Sequence, residues 1–322
     1  MITLLISSIA IFAVFLYGSL GEIITEKSGH LNLGTPGIMC FGGIGGCTGV
    51  YLAYKMVGAN NVMAYIWIIL FAITFAILFG GLVGLLYSFL TVTLRSNQNI
   101  TGLAITTFGV AAANYFGTKI DRTVLMNVSN KCFTRVFPVT DSSNDFLRLF
   151  FGHGFLIYLA IIIAILAYLF LKKTKTGLRL RAVGENPATA DAAGINVTKY
   201  RYIATIVGGA IASFGGLTYI MVQMGGTFEQ AVSIEGLGWI SVALVIFSIW
   251  RPNVAILGSF VFAILYQLPY SSVISVSNAM KEVIKMLPYV VAIIVLIITS
   301  IFGGKSVQPP QALGTNYFRE DR

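Results

Sequence analysis

Charge is scarce in this chain. Asp, Glu, Lys and Arg make up 10% of 322 residues, 57% are hydrophobic and the mean hydropathy is +0.85. So few charges cannot keep two soluble domains of that combined length in water, and the composition points to one integral domain with a bilayer as its solvent. Histidine is almost missing as well. His30 and His153 are the only two, each beside glycine and without Cys or carboxylate company at ligand spacing, so no metal centre is expected. Three cysteines cannot all pair, and Cys40 and Cys47 fall on one predicted helix face where a bridge is not expected. All three read as small buried apolar residues.

Ionisable groups are also absent from the interiors of the long apolar runs at 1–20, 37–54, 65–92, 100–117, 154–171, 202–222, 239–250, 253–267 and 286–302. Most of these runs can cross a hydrocarbon core of roughly 30 Å. The pair flanking Arg251-Pro252 is short and reads as half-helices or a tight hairpin, so eight to ten spans are expected. Proton-driven carriers usually keep buried ionisable relays, and their absence disfavours that class, while sodium coupling is less firmly excluded. Uphill transport would then draw its energy from a partner. No acid, base and nucleophile cluster suggests an enzyme. Gly303-Gly304-Lys305-Ser306 imitates the end of a phosphate-binding loop, but Thr299 stands where the first glycine belongs and a Pro-rich tail follows where a helix is needed. The chain is not expected to bind ATP itself. Its first twenty residues lack a basic start and a strong cleavage site, and read as a retained span.

Against this background one loop stands out. Residues 172–201 hold seven of the 21 Lys and Arg, an excess that marks the cytoplasmic side and leaves nucleic acid a poor explanation of the +9 net charge. Counting spans outward puts 118–153 and 223–238 outside, the tail from Gly303 inside and the N-terminus outside. Inside the loop, Asn186 can cap, Pro187 suits the first helical position, Ala188 to Ala193 favours helix and Gly194 supplies a left-handed stop. About two turns of helix are unstable alone in water, so something else must hold them.

Other signals are local. Glycine pairs Gly42/Gly46, Gly45/Gly49 and Gly80/Gly84 give small faces that let helices approach closely. Segment 118–153 is a mixed-charge connector or docking surface. The stretch Gly21–Gly46 sets Glu22, Glu26, Ser28, Asn32 and Thr35 among glycines and Pro36, either as an ordinary cytoplasmic turn or as backbone lining a watery cavity. A second polar break runs from Arg95 to Gly102, where side chains can bind a solute or cap a helix. The end, 308–322, reads as flexible.

The order of these segments is specific. Glu26-Lys27-Ser28-Gly29-His30-Leu31-Asn32-Leu33-Gly34, Asn97-Gln98-Asn99-Ile100-Thr101-Gly102-Leu103, Gly184-Glu185-Asn186-Pro187, Gly236-Leu237-Gly238-Trp239 and Arg251-Pro252-Asn253 together resemble permeases of bacterial ABC importers, the group with branched-chain amino acid, ribose and nucleoside permeases. The resemblance covers roughly Gly21 to Gly304 and looks most like the nucleoside permeases served by basic-membrane-protein-type lipoproteins. It implies an all-α, polytopic transmembrane bundle with broken helices over 1–304 and a cytoplasmic tail over 305–322, in the bacterial cell membrane. It also implies a second related permease, a partner ATP-binding subunit that holds ATP and Mg, and an extracytoplasmic binding lipoprotein, with no cofactor on this chain. A pathway lined by Ser28, Asn32, Gly34, Gly37, Asn97, Gln98, Thr101 and Thr107 is implied, together with an ATPase-coupling helix at Gly184, Glu185, Asn186, Pro187, Ala190, Asp191 and Gly194. Two departures touch the solute: Thr106-Thr107 where asparagine is expected, and the bulky Phe247-Ser248-Ile249-Trp250. A sugar or branched-chain amino acid importer is the alternative within the family, and an autonomous channel or secondary carrier the alternative outside it.

Overall fold

A computed structural model of the protein describes residues 2–59, 61–134, 145–271, 277–302 and 308–318. These residues form helices joined by turns, with no strand among them. In order the helices are α1 (Ile2–Glu26), α2 (Thr35–Val57), α3 (Val62–Ser88), α4 (Gln98–Gly117), α5 (Arg122–Val128), α6 (Asp145–Phe151), α7 (Phe155–Lys173), α8 (Lys175–Glu185), α9 (Pro187–Ala192), α10 (Val197–Thr218), α11 (Ala231–Phe247), α12 (Pro252–Gln267), α13 (Asn278–Ile284) and α14 (Leu287–Phe302). Wide π turns extend α3 through Phe89–Thr93 and α10 through Tyr219–Gln223. Helix is the form these sequences must take, because lipid offers no partner for an open backbone. Asparagines set several starts: Asn61 accepts from the Ala64 amide at 2.8 Å and Asn97 from the Ile100 amide at 3.1 Å.

Among the described residues seven helices are long and apolar enough to cross a membrane: α1, α2, α3 to Thr93, α4, α7, α10 to Gln223, and α12 to Tyr270. Two shorter apolar helices, α11 with 17 residues and α14 with 16, complete the correspondence with the nine apolar runs. The protein is therefore a multi-pass, all-α membrane bundle. The two runs flanking Arg251-Pro252 form a tight hairpin, in which Ile249 and Trp250 take φ of 54° and 52° and Pro252 opens α12. One expectation is corrected. The apolar run at 1–20 belongs to a helix that continues to Glu26 and carries buried Glu22 and Glu26 within it, while Arg201, also buried, lies in α10. Ionisable groups therefore are present inside the helices, screened from lipid by their neighbours.

The two ends of the bundle are distinct. At one end the 27–34 turn, α8, α9, the 248–251 hairpin and the tail residues 308–318 come together: Ala312 N donates to Gly184 O at 3.0 Å and Asn316 Nδ2 to Arg95 O at 2.9 Å. At the other, Lys131 Nζ donates to Ala59 O at 3.3 Å and Ser129 Oγ to Met221 O at 2.6 Å. This alternation agrees with the relative sides obtained by counting spans. The tail, expected to be loose, is docked over 308–318, whereas Gly303-Gly304-Lys305-Ser306 and the boundary at 304 lie outside the described residues.

Helix α10 sits at the centre of the packing. Its Gly208 faces the Gly21 backbone of α1, its Gly209 faces Gly80 of α3, and its Gly216 faces Met39 and Gly43 of α2. A Cβ on Gly216 would stand 1.9 Å from Met39 O. The glycine pairs seen in the sequence serve the same contacts, with Gly42 against Ser213 and Gly84 against Thr205. Gly216→Val should therefore destabilise the bundle by about 3 kcal/mol or more, read as a lower unfolding temperature of the detergent-purified chain. Gly236→Ala, where a Cβ meets nothing within 4 Å, should leave that temperature unchanged.

Candidate functional site

The polar break after α1 folds into a compact, buried turn. Glu22 reaches forward across it, accepting from the Asn32 amide at 3.1 Å and from the Thr35 hydroxyl, which opens α2. Asn32 Oδ1 accepts from the Gly34 amide at 3.0 Å, and Ser28 Oγ donates to Thr25 O at 2.6 Å. Glu26 accepts from the Trp250 indole of the distant hairpin. His30 is fully buried, with Nε2 hydrogen-bonded to Thr91 Oγ1 at 2.7 Å, and Tyr87 donates to Leu31 O. Gln98 joins two more segments: its Oε1 accepts from the Leu31 amide at 2.9 Å and its Nε2 donates to Asn316 Oδ1 at 3.1 Å. The turn between α1 and α2 is thus a knot tied to α3, α4, the α11–α12 hairpin and the tail.

Other residues assigned to a pathway have packing or capping roles here. Gly34 and Gly37 lie against Ile105 of α4, where a Cβ on Gly37 would stand 2.4 Å from Ile105 O. Asn97 caps α4 on the surface, and Thr101 hydrogen-bonds Ser96 at 2.9 Å. Thr106 donates to Leu33 O at 2.9 Å, while Thr107 faces outward and donates to Leu103 O at 3.1 Å. Ser28 to Gly34 lie in the junction between two helices, and Thr35 to Gly37 form the first turn of α2. Glu22, Glu26, His30, Tyr87 and Trp250 were not among the expected site residues. The i, i+4 spacing of two glutamates at the end of an apolar helix was the legible signal, whereas a tryptophan 224 residues away was not.

The predicted mini-helix is α9. Asn186 Oδ1 accepts from the Thr189 amide at 3.0 Å, Pro187 opens the helix, and Gly194 closes it with φ of 80°. Ala190 faces inward to a small cluster with Val183 and Val197, flanked by Ile195 and Tyr317. Asp191 accepts from the Tyr317 hydroxyl at 2.7 Å. The support demanded by so short a helix is thus supplied within the chain, and Glu185, Asn186, Thr189 and Ala192 to Gly194 remain exposed. Just before α9, Gly184 presses on the buried turn: a Cβ there would stand 2.4 Å from Lys27 O. Burial lowers the Lys27 ammonium from its ordinary range, and the nearby Glu185 carboxylate opposes that shift.

Residues 4–299 match the family described as the branched-chain amino acid transport system / permease component. The chain belongs to that permease family. It is 32% identical over 311 residues to the nucleoside ABC transporter permease protein NupC of Lactococcus lactis, covering 94% of this chain and 93% of that one. It is 29% identical over 310 residues to the guanosine ABC transporter permease protein NupQ of Bacillus subtilis, covering 94% and 92%. TsgC13 of Haloferax volcanii, provisionally named a glucose ABC transporter permease, is 30% identical over 266 residues, or 81% and 75%. No solved structure matches.

Two outcomes test the knot in this permease. Removing the indole donor with Trp250→Phe should cost about 1–3 kcal/mol in chemical unfolding, because a buried acceptor on Glu26 loses its partner. Burial and the Arg201 charge push the His30 imidazole down to about 3, against an ordinary 6.5. The unfolded chain therefore takes up a proton that the folded chain refuses. Stability should be full above about pH 6.5 and fall toward pH 3 by up to about 1.4 kcal/mol per unit, with His30→Asn flattening that slope.

Proposed function

We propose that this permease is the translocation subunit of an ATP-driven importer for nucleosides. The nucleoside assignment is supported by the names of NupC and NupQ, which align with nearly the whole chain. A second, related permease is the expected partner, since Lactococcus lactis and Bacillus subtilis each hold another relative, NupB and NupP, that also resembles this chain. ATP and Mg would bind to partner ATPase subunits, and an extracytoplasmic lipoprotein would deliver the solute. The end bearing α8, α9 and the tail would face the cytoplasm, as its lysines and arginines favour.

The observation that carries the reading is the contact of Gly184 with the Lys27–Gly29 backbone. Force applied to the exposed face of α9 has two routes into the bundle. One enters α10 directly through the short 193–196 turn, and the other passes through Gly184 into the α1–α2 junction. Closure of the ATPases would push α9, shift α10 against its three glycine-packed neighbours and exchange outward for inward access. The corner has little slack, because the single residue Asn186 both ends α8 and caps α9.

A second reading has one observation behind it. Glu22 and Glu26 lie buried inside α1, where a proton relay of a secondary carrier would sit. Reconstitution separates the two. Uptake of labelled nucleoside should require the ATPase, the binding lipoprotein and ATP, and uptake by this chain alone under a proton gradient would sink the importer. Within the assembled complex, Gly194→Pro should abolish nucleoside-stimulated ATP hydrolysis while membrane insertion is retained, because φ of 80° is closed to proline. Stimulation at the parental level would refute the coupling role of α9.

A further inference from the structure

Arg201 is anomalous. Its side chain is 2% exposed, yet among the described residues only Nη1 has a partner, donating to Thr315 O at 3.1 Å, while Nε and Nη2 have none there. Among the described residues no carboxylate pairs with it. A buried guanidinium with free donors is costly, and native structures keep such groups where something else satisfies them. Arg201 opens onto a cavity of about 670 Å³ between the start of α10, the turn after α9, the end of α3 and the tail, a volume suited to a small molecule. Arg95 and Lys199 line the same cavity, with Thr91, Asn196 and Asn316 as neutral polar walls. Among the described lining residues Asp191 is the one carboxylate, engaged by Tyr317, so three described cations stand against a single described anion. Arg95 also holds an unfavourable backbone, with φ of 57°, where Asn316 binds its carbonyl and Phe318 covers its guanidinium. Strain of that kind persists only where surrounding contacts over-determine it, and it often marks a binding site.

We infer that this cavity binds a phosphate-bearing anion, clasped by Arg201 between α10, the turn after α9 and the tail. The two free N–H groups of a guanidinium form a planar fork that fits two phosphate oxygens. Among the described lining residues the surplus of two positive charges suits a dianion. A small phosphate ester or a lipid headgroup fits the volume of the cavity. Because the walls come from α10, the turn after α9 and the tail, occupancy would brace the corner through which α9 acts.

Thermal unfolding of the full-length, detergent-purified chain tests this inference, with inorganic phosphate exchanged for chloride at constant ionic strength. The unfolding temperature should rise saturably with phosphate, and Arg201→Gln should weaken the apparent affinity about tenfold or more. Lys199→Ala, an exposed rim residue, should weaken it in the same direction and stands in if Arg201→Gln does not fold. Arg251→Ala, in a separate basic cavity with Lys27 and Arg181, should leave the response intact. A soluble ester as the source predicts the response to free phosphate. A lipid source predicts instead stabilisation in phosphatidylglycerol over phosphatidylcholine nanodiscs, lost in the same two variants. The inference is overturned if neither probe stabilises the parent, if the response survives Arg201→Gln and Lys199→Ala, or if stabilisation arrives only with added ATPase subunits.

Discussion

The fold depends on close backbone contact between helices through glycine. In lipid there is little hydrophobic drive for one apolar helix to leave the bilayer for another, so association rests on packing and on the polar groups that packing shields. Helix α10 meets α1, α2 and α3 at distances only glycine permits. These contacts seal off the end of α1, and that allows two glutamates to occupy a helix that otherwise reads as apolar. They also make α10 a poor place for local adjustment. A helix gripped on three sides moves as a unit or not at all, as the coupling role proposed for α9 would require.

The buried turn between α1 and α2 shows how the bundle accommodates irregular backbone. Residues 27–34 leave the helical state there, and their backbone groups are met by Glu22, Gln98 and Tyr87. Each partner comes from a different element. The turn is consequently a register mark for the whole end of the molecule, and Gly184 lays the corner of α8 and α9 directly on it. Buried polar contacts, a capped surface helix and the docked tail thus belong to one mechanical unit.

Some of this was legible in the sequence because it is local. The apolar runs, the cap at Asn186, the proline at position 187 and the left-handed glycine at 194 act within a few residues, and the structure places each as expected. The glycine spacing announced helix contacts without naming partners. Hydropathy misreads the extent of α1 for a physical reason: it ends a span where charge begins, whereas burial by neighbours lets a helix continue through Glu22 and Glu26. Most of the expected pathway residues lie in the knot, in helix contacts or at caps, whereas Thr107 faces outward from α4.

Sequence alone determined that this chain crosses a membrane as helices, that one loop carries the basic excess, and that the mini-helix within it starts at Asn186 and stops at Gly194. Those features follow from composition and from hydrogen bonds between near neighbours. Only the tertiary structure decided that Trp250 reaches Glu26, that Gln98 joins the 27–34 turn to the tail, that Ala190 anchors α9 within its own chain, and that Arg201 is buried beside an open cavity. Such pairings join residues far apart in sequence, and their energies exist only once the glycine-lined helices have closed around them.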